Sequence, residues 1–272
     1  IEELADDFAL LPDWEERISH VIELARSLAP LTDDERTEEN RVRGCVSRVW
    51  LVSEYRPCDV SKPVYVNRVL RAAGLLSVRK GPFGEQLETY QSRAFAVCDH
   101  QVAHVYVRDV ADISRTKDLL TTLPGVARVL AGEERAEVGL RHERAGELIV
   151  LSERDAWFAY PFWLDDALAP DYARAVAIHH KPGYDPCELF LDPAIRLPKL
   201  KLARKLLSKK LGFRMTMDVV PLDASLVKGS HGLIAADPQD GPLFVSDGEK
   251  PEGVIAMTSI RDRVLGALGL GA

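Results

Sequence analysis

Between Ser92 and Leu130 the chain reads as strand, strand, helix, strand, and this order limits its fold more than any other feature. Residues Ser92 to Val107 read as two short strands around a polar tip. Asp112 stands where a helix running through Leu120 would be capped, and Gly125 opens a strand over Val126–Leu130. Glu147–Leu151 is a further apolar run of strand length. Strands alternating with a helix argue an α/β fold.

The flanking segments add elements of both kinds. Asp13 and Glu16 form a capping box, and Trp14, Ile18, Val21, Ile22, Ala25 and Leu28 recur at helical spacing up to Pro30. Residues 31–43 are a polar connector. Val46–Val52 is a β-branched and aromatic strand that runs on to Tyr55. Ser61 is placed to cap a helix with Pro63 near its start, Val66, Val69, Leu70 and Ala73 facing inward, and Gly74 as its stop. Residues 79–86 hold two glycines and a proline and read as a loop. Asp155–Trp163 is the aromatic centre of the chain, suited to a core or a dimer face, or to the wall of a nucleoside site. Residues 196–214 carry eight Lys/Arg and no acid, with Leu200, Ala203, Leu207 and Leu211 in a helical stripe. Such a helix is a solvated basic face, or touches phosphates or lipid headgroups. A strand at Leu243–Val245 and a helix capped by Ser259, with Asp262 at its third position, close the chain.

Composition excludes some classes of function. With 46% hydrophobic and 28% charged residues, the chain has the balance of a globular protein. It lacks an apolar run of about 18 residues, so no membrane span is expected. The net charge is −7, but residues 1–40 hold thirteen acids against three bases, a net of −10, which leaves +3 for the rest. This asymmetry points to two units, and the overall acidity argues against a nucleic-acid polymer as partner. Four cysteines stand at 45, 58, 98 and 187 with no C-x-x-C pair. Their spacing suits free thiols in a reducing compartment, the cytoplasm, rather than a structural zinc site.

Several residues are candidates for chemistry. Cys45 follows Gly44 between Arg43 and Arg48, where a thiolate is favoured; the same residue also suits the start of a strand as a small apolar group. His231 sits between Ser230 and Gly232 with its imidazole open to a metal or a phosphate, or as an ordinary polar loop residue. Glu54 lies at a strand end. Asp99, His100 and His104 could converge on a metal or serve as hydrogen-bonded groups beside a cleft. His179 is a cleft candidate only, because its neighbour His180 would point the opposite way from a regular strand.

Two resemblances sharpen these readings. Lys228-Gly229-Ser230-His231-Gly232 after Pro221-Leu222-Asp223-Ala224-Ser225-Leu226 resembles the late metal-ligand motif of type I phosphodiesterases and nucleotide pyrophosphatases, in the alkaline phosphatase superfamily. Ser53-Glu54-Tyr55 resembles the Ser-Glu-Tyr-Gly element of one subgroup, although Arg56-Pro57 replaces its usual Gly-Ile. Ile178–Pro186 resembles the His-x-Lys-Pro-Gly-Tyr-Asp-Pro loop. The resemblance covers roughly residues 53–272, the C-terminal half of that family. It implies an α/β fold with a mostly parallel sheet, incomplete on one side. It also implies metal ligands at Glu54 and His231, zinc or another divalent metal as cofactor, and a nucleotide or phosphodiester substrate.

The N-terminal residues are similar to the SufE-type sulfur acceptors of iron–sulfur cluster assembly. The similarity lies in Asp13-Trp14-Glu15-Glu16-Arg17, Ile22–Arg26, Thr37–Asn40 and Gly44-Cys45-x-Ser47-x-Val49-Trp50. Val46 and Arg48 stand where that family has glutamines. It implies that Cys45 receives persulfide sulfur from a cysteine desulfurase. The switch between the two resemblances falls near Val52, inside one apolar strand, so the domains expected are 1–52 and 53–272. Three functions follow: a metal-dependent phosphodiesterase that is impaired in this chain, a sulfur acceptor acting through Cys45, and a non-catalytic remnant of fusion. The uncovered side of the sheet makes an oligomer a further expectation.

Overall fold

In this computed structural model the described residues are 51–53, 55–235, 241–245 and 253–268. They belong to one compact unit, Leu51–Val245 with Glu249–Ala272. Cys45, Glu54 and the helix expected from Asp13 lie outside the described residues.

The chain runs β1 (Leu51–Val52), β2 (Cys58–Asp59), β3 (Lys62–Val64), α1 (Val66–Ala72), β4 (Val78–Gly81), β5 (Gly84–Leu87), β6 (Ala94–Asp99) and β7 (Val102–Val107). It continues through α2 (Ile113–Thr121), β8 (Val126–Ala131), β9 (Leu148–Ser152), β10 (Ala156–Phe158), α3 (Pro198–Lys210), β11 (Gly229–Ser230), β12 (Phe244–Val245) and α4 (Ile260–Ala267). The fold is mixed α/β with small sheets.

The largest sheet has the order β6-β7-β9-β8, and each of its pairings is antiparallel. The expectation of a mostly parallel sheet is therefore corrected. Only His100 and Gln101 join β6 to β7, and a parallel crossover needs a dozen residues or more. The strand–helix–strand order read from sequence is present, because β7 and β8 run the same way with α2 between them. However, β9 inserts between them and pairs antiparallel with both. A parallel pairing occurs elsewhere, where β3 lies beside β10 with Pro63 opposite Trp157. That pairing corrects the helix expected from Ser61: Lys62–Val64 is strand, and the helix begins only at Val66. Proline at 63 is compatible with a strand that has one partner, since it donates nothing to a second.

The core forms where the apolar face of this sheet meets α1, α2 and the aromatic segment. Val66, Leu70, Ala96, Cys98, Val105, Leu120, Leu148, Val150, Phe158, Phe162 and Trp163 are all buried in one cluster. Trp157, on the other side of β10, is buried instead with Val60, Cys187, Val220, Ala224 and Val227. Alternation along β10 therefore joins two cores. The dense aromatics are interior packing, not a nucleoside wall.

Two capping expectations are corrected. Asp112 precedes α2, but its carboxylate pairs with Arg93 rather than with the helix N–H groups. The preceding Asp109 accepts from Ala111 N–H at 2.9 Å. Ser259 Oγ donates to the Ala256 carbonyl and makes no cap bond.

The outer edge of β6 is filled by unlike groups. Ala94 N–H donates to the Leu75 carbonyl at 3.0 Å. The Asn67 side chain accepts from Ala96 N–H at 2.7 Å and donates to the Ala96 carbonyl at 2.9 Å, as a neighbouring strand would. Cys98 N–H donates to the Pro182 carbonyl, and Tyr184 N–H donates to the Cys98 carbonyl. Gly183 lies between these last two bonds with φ +116°, and a Cβ on it would stand 1.8 Å from the Cys98 oxygen. Only glycine lets this loop reach the edge.

Candidate functional site

The β6–β7 tip is the centre of the site. His100 takes the left-handed conformation, φ 54°, which turns the chain in two residues. The tip is held on two sides. The His100 carbonyl accepts from Phe158 N–H at 2.7 Å, and Gln101 N–H donates to the His231 carbonyl at 3.0 Å. The buried Gln101 side chain donates to the carbonyls of Arg154 and Ala156 and accepts from the Cys58 thiol at 3.3 Å. Pairing of β11 with β2, Ser230 opposite Cys58, brings His231 to the same place.

The consequence is a column of four rings. Tyr55 stacks on His231 with centroids 3.7 Å apart, His231 lies 3.9 Å from His100, and His100 lies 5.0 Å from Tyr184. Buried Ser230 places its hydroxyl 3.3 Å from His100 Nδ1. Burial lowers the His100 pKa and the adjacent His231 lowers it further, while Asp99 acts in the opposite direction. Two rings of the column, Tyr55 and His231, line a cleft of about 900 Å³ together with Arg56, Cys58, Arg154 and Met257. His231 presents an imidazole to this cleft and can exchange hydrogen bonds with a ligand there, while His100 packs behind it.

The candidates read from sequence separate in space. His231 and His100 come together. Asp99 is exposed at the end of β6, opposite Val102. His104 projects from β7, where its Nδ1 accepts from Gly146 N–H at 3.3 Å and burial lowers its pKa. His179 lines a second cleft of about 900 Å³ with Lys80, Phe83, Tyr172 and His180. Tyr184, Gln101 and Cys58 complete the site without having been singled out. Gln101 stands beside His100 in the tip, whereas Cys58 arrives through the pairing of β2 with β11 and Tyr184 through the loop docked on β6.

A divalent metal needs donors that converge. Among the described residues no group of three or more His, Cys, Asp or Glu is placed to hold one. His100 and His231 meet face to face at a tilt of 37°, so their in-plane nitrogen lone pairs do not point at one ion. The described donors do not fit the implied metal.

The cysteines differ in their chemistry. Burial pushes the Cys98 thiol up to about 12 and raises that of Cys187 as well, so neither is a thiolate at neutral pH. Cys58 is partly exposed at the cleft.

Comparison with known proteins finds one family model that matches part of this chain. The SufE family model, described as an Fe-S metabolism associated domain, matches residues 2–65. An uncharacterized SufE-like protein of Rhizobium etli is 49% identical over 53 residues, which are 20% of this chain and 36% of that protein. Another, from Rhizobium meliloti, is 47% identical over 53 residues, 20% of this chain and 38% of that protein. The chain thus spans little more than a third of the length of these relatives. Among solved structures, phosphonoacetate hydrolase of Sinorhizobium meliloti in complex with phosphonoacetate aligns with a TM-score of 0.31 and 17% identity, over 45% of this chain and 30% of that one. At that score it sets no fold.

Proposed function

We propose that the chain is a sulfur acceptor that takes persulfide sulfur from a cysteine desulfurase onto Cys45. The observation that carries this reading is the SufE match over residues 2–65, with the Gly44-Cys45-x-Ser47-x-Val49-Trp50 motif inside it. In the step proposed, the Cys45 thiolate attacks the terminal sulfur of the desulfurase persulfide. A new S–S bond forms at Cys45, the old one breaks, and the desulfurase cysteine leaves as a thiolate. Arg43 and Arg48 flank Cys45 and favour its anion. The protonated, buried states of Cys98 and Cys187 support the choice of Cys45 over those two. Incubation with a cysteine desulfurase and ³⁵S-cysteine is expected to give label that reductant removes. Cys45→Ser abolishes that label, and Cys58→Ser retains it. Label that persists in Cys45→Ser sinks the assignment.

A second reading rests on a separate observation, the cleft that His231 lines with Arg56 and Arg154. It makes the unit from residue 51 onward a binder of phosphodiesters or nucleotides related to hydrolases, impaired as an enzyme in this chain. Zinc or another divalent metal is part of this reading only if donors outside the described residues, Glu54 first, complete the set. Metal content of the purified chain, measured by mass spectrometry alongside His231→Ala, tests it. Stoichiometric zinc that falls in the variant supports a metal site, and zinc at background in both excludes one.

A further inference from the structure

We propose that helix α3 is a docking surface for an anionic lipid layer. An ordinary surface helix turns its apolar stripe inward. Here the arrangement is inverted. Lys201 and Lys205 face the body of the unit and pair with Asp218, at 3.3 and 2.5 Å. The leucine stripe faces outward: Leu200 is 64% exposed, Leu207 56% and Leu211 64%, with Ala203 exposed between them. No residue of the helix is buried. Phe213, just past its C-terminus, is 68% exposed.

Charge complementarity selects the occupant. At 3.6 residues per turn, Lys199 and Lys210 flank the stripe on one side and Arg204 on the other. All three are exposed, and among the described residues none of them pairs with a carboxylate. From residue 193 to residue 217 there is no acid. A single protein groove would supply counter-charge on one or two walls. A layer of anionic headgroups supplies it on every side of a helix lying flat. Leucines then enter the boundary of the acyl region, and the flanking lysines extend their stems to keep their charges among the headgroups. The helix is 13 residues long, too short to cross a bilayer, so it lies on the surface.

The test is sedimentation of the full chain with vesicles of phosphatidylcholine alone and of phosphatidylcholine mixed with phosphatidylglycerol. The chain is expected to pellet with the mixed vesicles, to be released by salt, and to stay in solution with phosphatidylcholine alone. Lys199→Gln and Lys210→Gln should each weaken binding by about fivefold, since one cation near an anionic surface contributes on that scale. Leu207→Ser with Leu211→Ser should abolish it. These positions face water, so the variants keep the fold, which circular dichroism checks. Absence of pelleting with either vesicle, equal pelleting with both, or a leucine double variant that still pellets overturns the proposal. So does a chain that is an oligomer by light scattering and becomes a monomer in the leucine variant, since the stripe then meets a second copy.

Discussion

At the scale of single residues, His100 combines three roles: turn former, ring in the column, and titrating group. Its burial and the neighbouring His231 hold its pKa below the ordinary value of about 6.5. The unfolded chain therefore binds this proton more readily than the folded one does. Stability is complete above the ordinary histidine pKa and is lost as pH falls through the lowered folded value. We expect the urea midpoint to drop between about pH 7 and about pH 5, and His100→Gln to reduce that drop without abolishing it, because His104 is shifted the same way. An unchanged pH slope in His100→Gln would show that the ring carries no such cost. The sequence marked His100 and His231 separately, at tips flanked by small or polar residues. Their meeting was not legible, since 131 positions separate them and the register of β11 against β2 decides it.

Elements were legible in proportion to how local their determinants are. Strands β6, β7, β8 and β9 and helix α2 follow from runs of apolar residues and their spacing. Their pairing did not, because the βαβ order is the same whether or not a later strand inserts between the two parallel ones. Lys62–Val64 was misread as helix because Ser61 and Pro63 imitate a helix start, whereas the partner that makes it a strand lies at Ala156–Phe158. The loop 177–190 shows the same dependence. Lys181 has no exposed side-chain surface and bonds Asp185 at 2.7 Å and Glu188 at 2.6 Å, which folds the loop upon itself. Gly183 then docks it on β6. Gly183→Ala should cost about 3 kcal/mol or more, because the loop must leave the edge and carry Tyr184 away from His100. Gly229→Ala, with negative φ and open space around the site, is the control and should change stability little. Comparable urea midpoints for the two would refute this account of the loop.

For the molecule as a whole, the sequence divides its chemistry between an acidic stretch, residues 1–52 at a net charge of −7, and a remainder whose acids and bases balance. The acidic N-terminal stretch contains the motif that carries the sulfur-acceptor reading, and the rest supplies a sheet, two clefts and a basic helix. Among the described residues no helix is long and apolar enough to cross a membrane. The charge asymmetry and the change of motif near Val52 were readable from composition. The inverted face of α3 was not, since a stripe of leucines at helical spacing looks the same whether it faces a core or water. Only the acid at position 218, beyond the helix, decides which face turns inward.

The side-chain bonds of Asn67 have a consequence for how copies of this chain meet. Sheets commonly recruit a stranger through an unpaired rim, by β-augmentation or by runaway polymerisation. Along β6 the outward amides at 94, 96 and 98 are already engaged, by a turn carbonyl, a carboxamide and a loop, none of which is itself a strand. The rim is thus sealed with pieces that cannot propagate hydrogen-bonded pairing further. Any assembly this unit enters must leave that margin alone.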